Sequence, residues 1–151
     1  MRIVSSSPKI TEKIASLFAG EILKTSSKNG FLIGLRGNLG SGKSVFARGF
    51  AKGLGIRKRI LSPTFPIMKI YELRKRNYHA FVHIDAYRIK KVSELETIGF
   101  KDVIREKSHI SLIEWADKIK KILPKEMIWI DFQHSKKENE RMVKITNRPL
   151  I

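Results

Sequence analysis

Two kinds of apolar pattern follow each other along the chain. Over residues 8–23 the apolar positions recur every three or four residues, which predicts a helix with Ser7 as its N-cap. Residues 31–35, 80–84 and 110–113 are instead short, continuous apolar runs rich in β-branched side chains. Such runs are typical of strands that are buried on both faces of a parallel sheet. The pattern therefore predicts a central sheet with helices packed against it.

The remaining segments continue this alternation of helices and strands. Helices are predicted at about residues 42–54, 94–98 and 116–123, with Gly55 and Pro124 placed to end the first and the last of them. Residues 127–132 and 142–145 alternate around a polar loop, which predicts an antiparallel hairpin at the edge of the sheet. No repeat or linker interrupts the chain, so residues 1–151 are interpreted as a single domain.

A glycine-rich loop joins the first predicted strand to the helix that follows it. Residues 37–44, Gly-Asn-Leu-Gly-Ser-Gly-Lys-Ser, match the full phosphate-loop pattern G-x-x-x-x-G-K-[ST]. In that pattern backbone N–H groups face a phosphate, Lys43 neutralises the β- and γ-phosphate oxygens, and Ser44 offers its hydroxyl to Mg²⁺. The predicted fold class is therefore α/β, a P-loop NTPase-like, mostly parallel sheet flanked by helices, with antiparallel edge strands. The predicted cofactors are ATP or ADP and Mg²⁺.

Two carboxylates lie where predicted buried strands end. Asp85 and Glu114 each follow such a strand, at the edge of the sheet that also carries the phosphate loop. There they can hold Mg²⁺ or orient a water for attack on a γ-phosphate. His83 is interpreted as a packed histidine rather than a catalyst. Thr64, in the loop after the phosphate-loop helix, either senses the γ-phosphate, as switch segments do, or only fixes that loop.

Composition narrows the class of protein further. Lysine and arginine number 31 against 14 acidic residues, a formal net charge of +17, and 42% of residues are hydrophobic, as in globular chains. With no cysteine, disulfides, thiolate catalysis and cysteine-ligated zinc are excluded. No apolar run is long enough to cross a bilayer and the N-terminus has no export signal. We therefore expect a cytoplasmic protein without a membrane partner.

Four segments, in order and spacing, carry a resemblance to a known family. They are the phosphate loop at 37–44, Ser-Pro-Thr-Phe at 62–65, His-Ile-Asp-Ala-Tyr-Arg at 83–88 and Ile-Glu-Trp at 113–115. Over about residues 11–141 the chain resembles the bacterial tRNA threonylcarbamoyladenosine biosynthesis ATPases of the TsaE family. The chain departs from the family pattern at Asn38 and Ser44, where Asp and Thr are usual, without losing a chemical group that the mechanism needs.

This resemblance implies an ATPase that acts with two partner proteins, TsaB and TsaD, in modifying tRNA beside the anticodon. It implies that Ser44 and Glu114 ligate Mg²⁺. Roles in hydrolysis fall to Asp85, to Lys43 and to Thr64 in a switch-like loop. The residues implied to bind the nucleotide are Thr11, Asn38, Leu39, Gly40, Ser41, Gly42, Lys43, Ser44 and Arg141, of which Thr11 and Arg141 would flank the adenosine.

The positive charge is consistent with two interpretations. Basic clusters at residues 57–59, 74–76, 90–91 and 118–121 attract nucleic acid or an acidic protein, or they only keep the chain in solution. Aromatic residues do not interleave with these clusters, as they do in single-strand binders. We expect weak, steeply salt-dependent and sequence-indifferent tRNA binding.

Two alternative functions are consistent with the sequence. A small P-loop kinase would share the phosphate loop, but it needs an acceptor-binding domain and usually an arginine-rich lid, for which this chain has little room. A nucleic-acid-binding module on a nucleotide fold would use the charge of +17. Phosphate transfer to small acceptors would indicate the kinase, and tight RNA binding independent of ATP would indicate the module.

Overall fold

The computed structural model describes residues 1–61 and 67–146, whose strands form one seven-stranded sheet. The order across the sheet is β1-β7-β6-β2-β5-β4-β3. The strands are β1 (Arg2–Ser5), β2 (Phe31–Gly37), β3 (Met68–Glu72), β4 (Ala80–Asp85), β5 (His109–Glu114), β6 (Ile128–His134) and β7 (Arg141–Thr146). Four neighbours in the centre, β6, β2, β5 and β4, are parallel.

Antiparallel strands lie on both sides of this parallel centre. β3 pairs with β4 at one edge, while β7 pairs with β6 and β1 with β7 at the other. The predicted fold class is thereby confirmed. The predicted C-terminal hairpin forms, but β6 lies inside the sheet beside β2, and β1 rather than β7 is the edge strand. β1 and β3 are additions to the predicted set of strands.

Helices cover both faces of the sheet. They are α1 (Pro8–Lys24), α2 (Lys43–Gly53), α3 (Ser93–Thr97) and α4 (Phe100–Arg105), with a 3₁₀ helix at Ala116–Ile122. Ser7 caps α1, since its hydroxyl accepts from the N–H of Ile10 at 3.2 Å. The helix predicted at 116–123 is a 3₁₀ helix, kinked at Ile119, and α4 is an addition to the predicted helices. Within the described ranges, no helix is long and apolar enough to cross a membrane.

Two apolar cores result from this arrangement. Helices α1 and α2 pack on one face of the sheet, around Phe46 and Phe50. On the other face, α3, α4 and the 3₁₀ helix pack around Leu95 and Phe100. Successive residues of β2 point to opposite faces, so Leu32 joins the second core while its neighbours join the first. Burial on both faces explains why the central strands are continuous apolar runs.

Candidate nucleotide-binding site

Two glycines shape the loop that joins β2 to α2. Gly37 has a φ of 154°, and a Cβ on it would lie 2.7 Å from both the carbonyl oxygen of Phe132 and the hydroxyl of Ser41. Gly42, with a φ of 105°, is the N-cap residue of α2. Only glycine satisfies both the backbone angle and the space at position 37. The loop therefore passes close to β6 and ends at the N-terminus of α2, where the helix dipole favours an anion.

Lys43 bends back over this loop. Its Nζ donates to the carbonyl oxygens of Gly37 at 2.6 Å and Asn38 at 2.8 Å, and to the hydroxyl of Ser41 at 3.3 Å. Burial lowers the pKa of Lys43 from its ordinary value, and nearby carboxylates, Glu114 foremost, oppose that shift. The Lys43 ammonium is therefore held beside the loop, is partly desolvated, and is positioned to bind an anion.

Ser44, Glu114 and His83 form a hydrogen-bonded chain below the loop. The Ser44 hydroxyl donates to Glu114 Oε1 at 2.7 Å, and His83 Nε2 lies 2.7 Å from Glu114 Oε2. Glu114 and His83 are each 1% exposed. A buried carboxylate needs such partners on both oxygens, because an uncompensated charge in the interior is expensive. The packed histidine predicted from sequence is confirmed as buried, but it also holds a candidate metal ligand.

Asp85 stands beside Glu114 at the end of the neighbouring strand. The two residues are direct partners in the β4–β5 pairing. Asp85 Oδ1 accepts from the N–H of Tyr87 at 2.9 Å. Burial raises the pKa of the Asp85 carboxyl and Glu114 adds to the rise, while the Tyr87 N–H, His83 and Lys43 oppose it. The prediction that the two acids meet at one edge of the sheet is confirmed.

An aromatic pair closes the side of the site next to Glu114. Trp115 has a φ of 59°, an uncommon angle for a bulky residue and one that often marks a functional site. Lys43 Nζ lies 3.8 Å from the centre of its indole ring, a cation–π contact. Tyr87 packs on the same indole with 4.9 Å between ring centres. Neither aromatic residue is among the predicted site residues.

Thr11 on α1 lies beside the loop, and Arg141 on β7 is linked to it through Ser5. Thr11 is 3% exposed, and its methyl carbon would lie 3.9 Å from a Cβ on Gly42. Its hydroxyl shares a 2.7 Å hydrogen bond with Ser5 Oγ, and Ser5 is the β1 partner of Arg141. The Arg141 guanidinium donates to the carbonyl oxygen of Glu138 at 2.7 Å. The roles predicted for these two residues beside the adenosine stay predictions.

The remaining predicted site residues are four in the phosphate loop and Thr64. Asn38, Leu39 and Gly40 form the exposed crest of the loop, and Ser41 is buried beneath it. Thr64 lies outside the described residues.

The donor set at Ser44 and Glu114 fits Mg²⁺. Their oxygens lie 2.7 Å apart, and oxygen is the ligand this hard cation prefers. Among residues 1–61 and 67–146, no group of three or more histidine or acidic side chains could hold a metal by itself. Magnesium in nucleotide sites needs only one or two protein ligands, because phosphates and water complete its shell.

Comparisons with known proteins agree on one family. The sequence model for "Threonylcarbamoyl adenosine biosynthesis protein TsaE" matches residues 6–143. The tRNA threonylcarbamoyladenosine biosynthesis protein TsaE of Bacillus subtilis is 34% identical over 139 residues, covering 92% of this chain and 80% of that protein. The TsaE protein of Rickettsia prowazekii is 34% identical over 129 residues, covering 85% and 83%.

A solved structure gives the same result in three dimensions. The crystal structure of Bacillus subtilis YdiB matches with a TM-score of 0.72 and 31% identity, covering 97% of this chain and 84% of that one. Its match, the family model and the relatives all include the loop at 37–44 and the strands that carry Asp85 and Glu114. The chain belongs to the TsaE family of threonylcarbamoyladenosine biosynthesis proteins.

Proposed function

We propose that this protein binds ATP with Mg²⁺ and hydrolyses it in support of threonylcarbamoyladenosine synthesis on tRNA. The observation that carries the proposal is the Ser44–Glu114 contact of 2.7 Å, formed at the N-terminus of α2 beside Lys43. The hydroxyl of Ser44 and the buried ammonium of Lys43 lie at the end of the phosphate loop, and the buried carboxylate of Glu114 lies beside them. The family assignment supports the tRNA pathway, and TsaB and TsaD are the proposed partners in the cytoplasm.

Each residue has a defined part in this proposal. The loop N–H groups and Lys43 bind the phosphates, with the ammonium exchanging its bonds to Gly37 and Asn38 for phosphate oxygens. Ser44 and Glu114 would hold Mg²⁺, and the chemistry that the ion would supply there is charge neutralisation. Asp85 orients the attacking water. Because its pKa is raised, it is a better proton acceptor than an ordinary carboxylate.

Hydrolysis by carboxyl variants tests the chemistry. Asp85→Asn and Glu114→Gln should each lower Mg²⁺-dependent ATP hydrolysis at least about tenfold, equivalent to about 1.4 kcal/mol of barrier. ADP affinity should change much less, because the loop backbone still holds the phosphates. The exposed acids Glu96 and Asp102 supply matched controls, Glu96→Gln and Asp102→Asn, that should hydrolyse ATP like the wild type. Unchanged hydrolysis in both site variants would contradict the proposal.

Nucleotide binding is tested separately from hydrolysis. A ligand specific for the folded state stabilises it by about 2.7 kcal/mol at a hundredfold excess over its Kd, so MgATP should raise Tm. Lys43→Ala should blunt this rise, whereas Lys52→Ala, a lysine at the far end of the same helix, should not. An equal response from all three proteins would contradict the proposed role of the phosphate loop.

The pathway is tested by reconstitution. A tRNA modification assay with TsaB and TsaD, with and without this chain, should require the chain for sustained product formation. ATP hydrolysis should be slow for the chain alone and faster in the complete mixture, because many P-loop enzymes obtain a completing residue from a partner. Efficient phosphate transfer to a small acceptor would instead favour the kinase alternative.

A further inference from the structure

A second cationic site lies at the end of α2 opposite the phosphate loop. It is a cavity of about 470 Å³. Its lining, here called the basic cavity, consists of Arg48, Lys52, Gly55, Ile56, Arg57, Lys58, Arg59 and Ile60. Five of these eight residues are cationic. Its lining begins at Arg48, five residues after Lys43 in α2, and continues past the C-terminal end of that helix, so most of it lies at the end of α2 away from the phosphate loop.

The backbone around the basic cavity is well anchored. After α2 the chain reverses at Gly55, where φ is 87°, and the N–H of Ile56 donates to the carbonyl oxygen of Ala51 at 3.1 Å. Ile56 packs on the core, and Ile60 is buried. Residues 57–59 therefore span two anchored positions and project their exposed cationic side chains beside α2. The apolar residues Ile56 and Ile60 thus fix the two ends of the segment that carries these cations.

The charges of the basic cavity are poorly balanced. Among the described residues that line it, none is acidic. Lys52 contacts Glu12 at 3.3 Å, but both side chains are well exposed, so the pair is weak. A further cation is close, since Lys75 Nζ lies 3.4 Å from the position of a Cβ on Gly55. Crowding like charges destabilises the folded chain, and a polyanion would relieve that repulsion.

We propose that the basic cavity binds the sugar–phosphate backbone of RNA. Arginine forks at Arg48, Arg57 and Arg59 match phosphate oxygens in a bidentate geometry that a lysine does not provide. No aromatic ring is among the described lining residues, so bases have no stacking platform and the site reads backbone, not sequence. The identification of this RNA as tRNA rests on the proposed function. The inference that the basic cavity binds phosphate groups does not.

Anisotropy of fluorescently labelled, unmodified tRNA across a KCl series tests the site. Arg57→Gln/Arg59→Gln should weaken binding about tenfold at low salt and reduce the logarithmic salt slope by about 1 to 2, one lost phosphate contact per arginine. The matched control is Arg2→Gln/Arg105→Gln, which removes the same charge from two exposed arginines elsewhere on the surface. It should change affinity less than threefold. Arg57→Lys/Arg59→Lys should keep most of the salt slope.

Four comparisons complete the test: MgATP competition, the two arginine-to-glutamine pairs, an acidic peptide and nucleotide-induced Tm shifts. Because most of the basic cavity lies at the end of α2 away from the phosphate loop, saturating MgATP should not displace the tRNA. If the two arginine-to-glutamine pairs weaken binding equally, the net charge alone attracts RNA and the proposal is wrong. It is also wrong if an oligoglutamate peptide of equal charge binds the wild type more tightly than tRNA, since the basic cavity is then a protein-docking site. Nucleotide-induced Tm shifts of the same proteins report the ATP site, so the two proposals fail independently.

Discussion

Glu114 is the side chain on which the candidate metal site depends most directly. One oxygen accepts from Ser44 and the other contacts His83, and both Glu114 and His83 are buried. The 2.7 Å contact with His83 Nε2 fixes the position of this second oxygen. His83 Nδ1 has no hydrogen-bond partner among the described residues. His83 is therefore a positioning residue for Glu114.

His83→Leu should destabilise the protein by about 1–3 kcal/mol. The substitution removes the 2.7 Å contact of His83 with a buried carboxylate, and loss of a buried polar contact carries a desolvation penalty. Urea unfolding measures the effect. Ser111→Ala is the control, because the buried Ser111 hydroxyl has no hydrogen-bond partner within residues 1–61 and 67–146, and its removal should be neutral or slightly stabilising. Equal stability of His83→Leu and wild type would show that the contact contributes nothing to the fold.

Asp85→Asn should stabilise the nucleotide-free protein at neutral pH. Because the folded-state pKa of Asp85 is raised, its ionisation costs stability as the pH rises from the ordinary carboxyl value of 3.8 through the folded-state pKa. Asparagine removes this cost and still accepts from the Tyr87 N–H. We expect a rise in Tm of about 2 °C at pH 7 that shrinks toward pH 4. A gain that does not vary with pH in thermal melts would have another cause.

Some site residues could be predicted from sequence and others could not. Motif spacing identifies Lys43 and Ser44, and strand ends identify Asp85 and Glu114. The contribution of His83 was also readable in principle, because alternation along β4 places it on the same face as Asp85, two residues later. Trp115 was not readable, since its position depends on a backbone φ of 59° that no sequence pattern encodes.

At the level of elements, prediction succeeds where burial is two-sided. The strands β2, β4 and β5 have buried neighbours on both faces and so are largely continuous apolar runs. By contrast, β6 carries Asp131 and ends in Gln133 and His134, so its sequence indicated an edge strand although it lies beside β2. β1 buries only Ser5, and β3 exposes Lys69, Ile70 and Glu72, so neither edge strand has an apolar signature. β1 pairs with β7, which is distant in the sequence. β3 pairs with β4, whose place in the sheet must be established first.

The packing of α2 on α1 depends on two glycines one turn apart. A Cβ on Gly49 would lie 2.4 Å from the carbonyl oxygen of Glu12, and one on Gly53 would lie 2.4 Å from that of Ser16. Real side-chain carbons do not approach backbone so closely, so the helices are in near backbone-to-backbone contact. This contact sets the position of the helix whose N-terminus carries the phosphate loop.

Gly49→Ala should therefore destabilise the protein by about 1–3 kcal/mol, since the added methyl forces the two helices apart. Gly20→Ala is the matched control in α1, because a Cβ there meets nothing within 4 Å. It should stabilise by about 0.5–1 kcal/mol through the better helix propensity of alanine. Denaturant unfolding of both variants measures the difference, and equal effects would contradict the close packing.

At the level of the whole molecule, a net charge of +17 on 151 residues dominates the long-range electrostatics. Such a charge destabilises the compact state by self-repulsion, which salt screens. Raising KCl from about 0.05 to 0.5 M should therefore raise Tm by several degrees without nucleotide. Thermal melts at several salt concentrations measure this, and a Tm that falls with salt would show that specific ion pairs outweigh the repulsion.

The strand order also bears on how the chain is synthesised. β2 leads into the phosphate loop, yet its partners come late: Phe31 pairs with Ile110, and Ile33 pairs with Ile128. A nascent chain emerging from the ribosome would carry the complete loop long before either neighbour of β2 exists. Such long-range pairing is slow to form, because the loop-closure entropy is lost before the contacts are gained. Ribosome-bound chains that end before β5 should thus fail to retain nucleotide, and that capacity should arise only as the last third of the polypeptide leaves the exit tunnel.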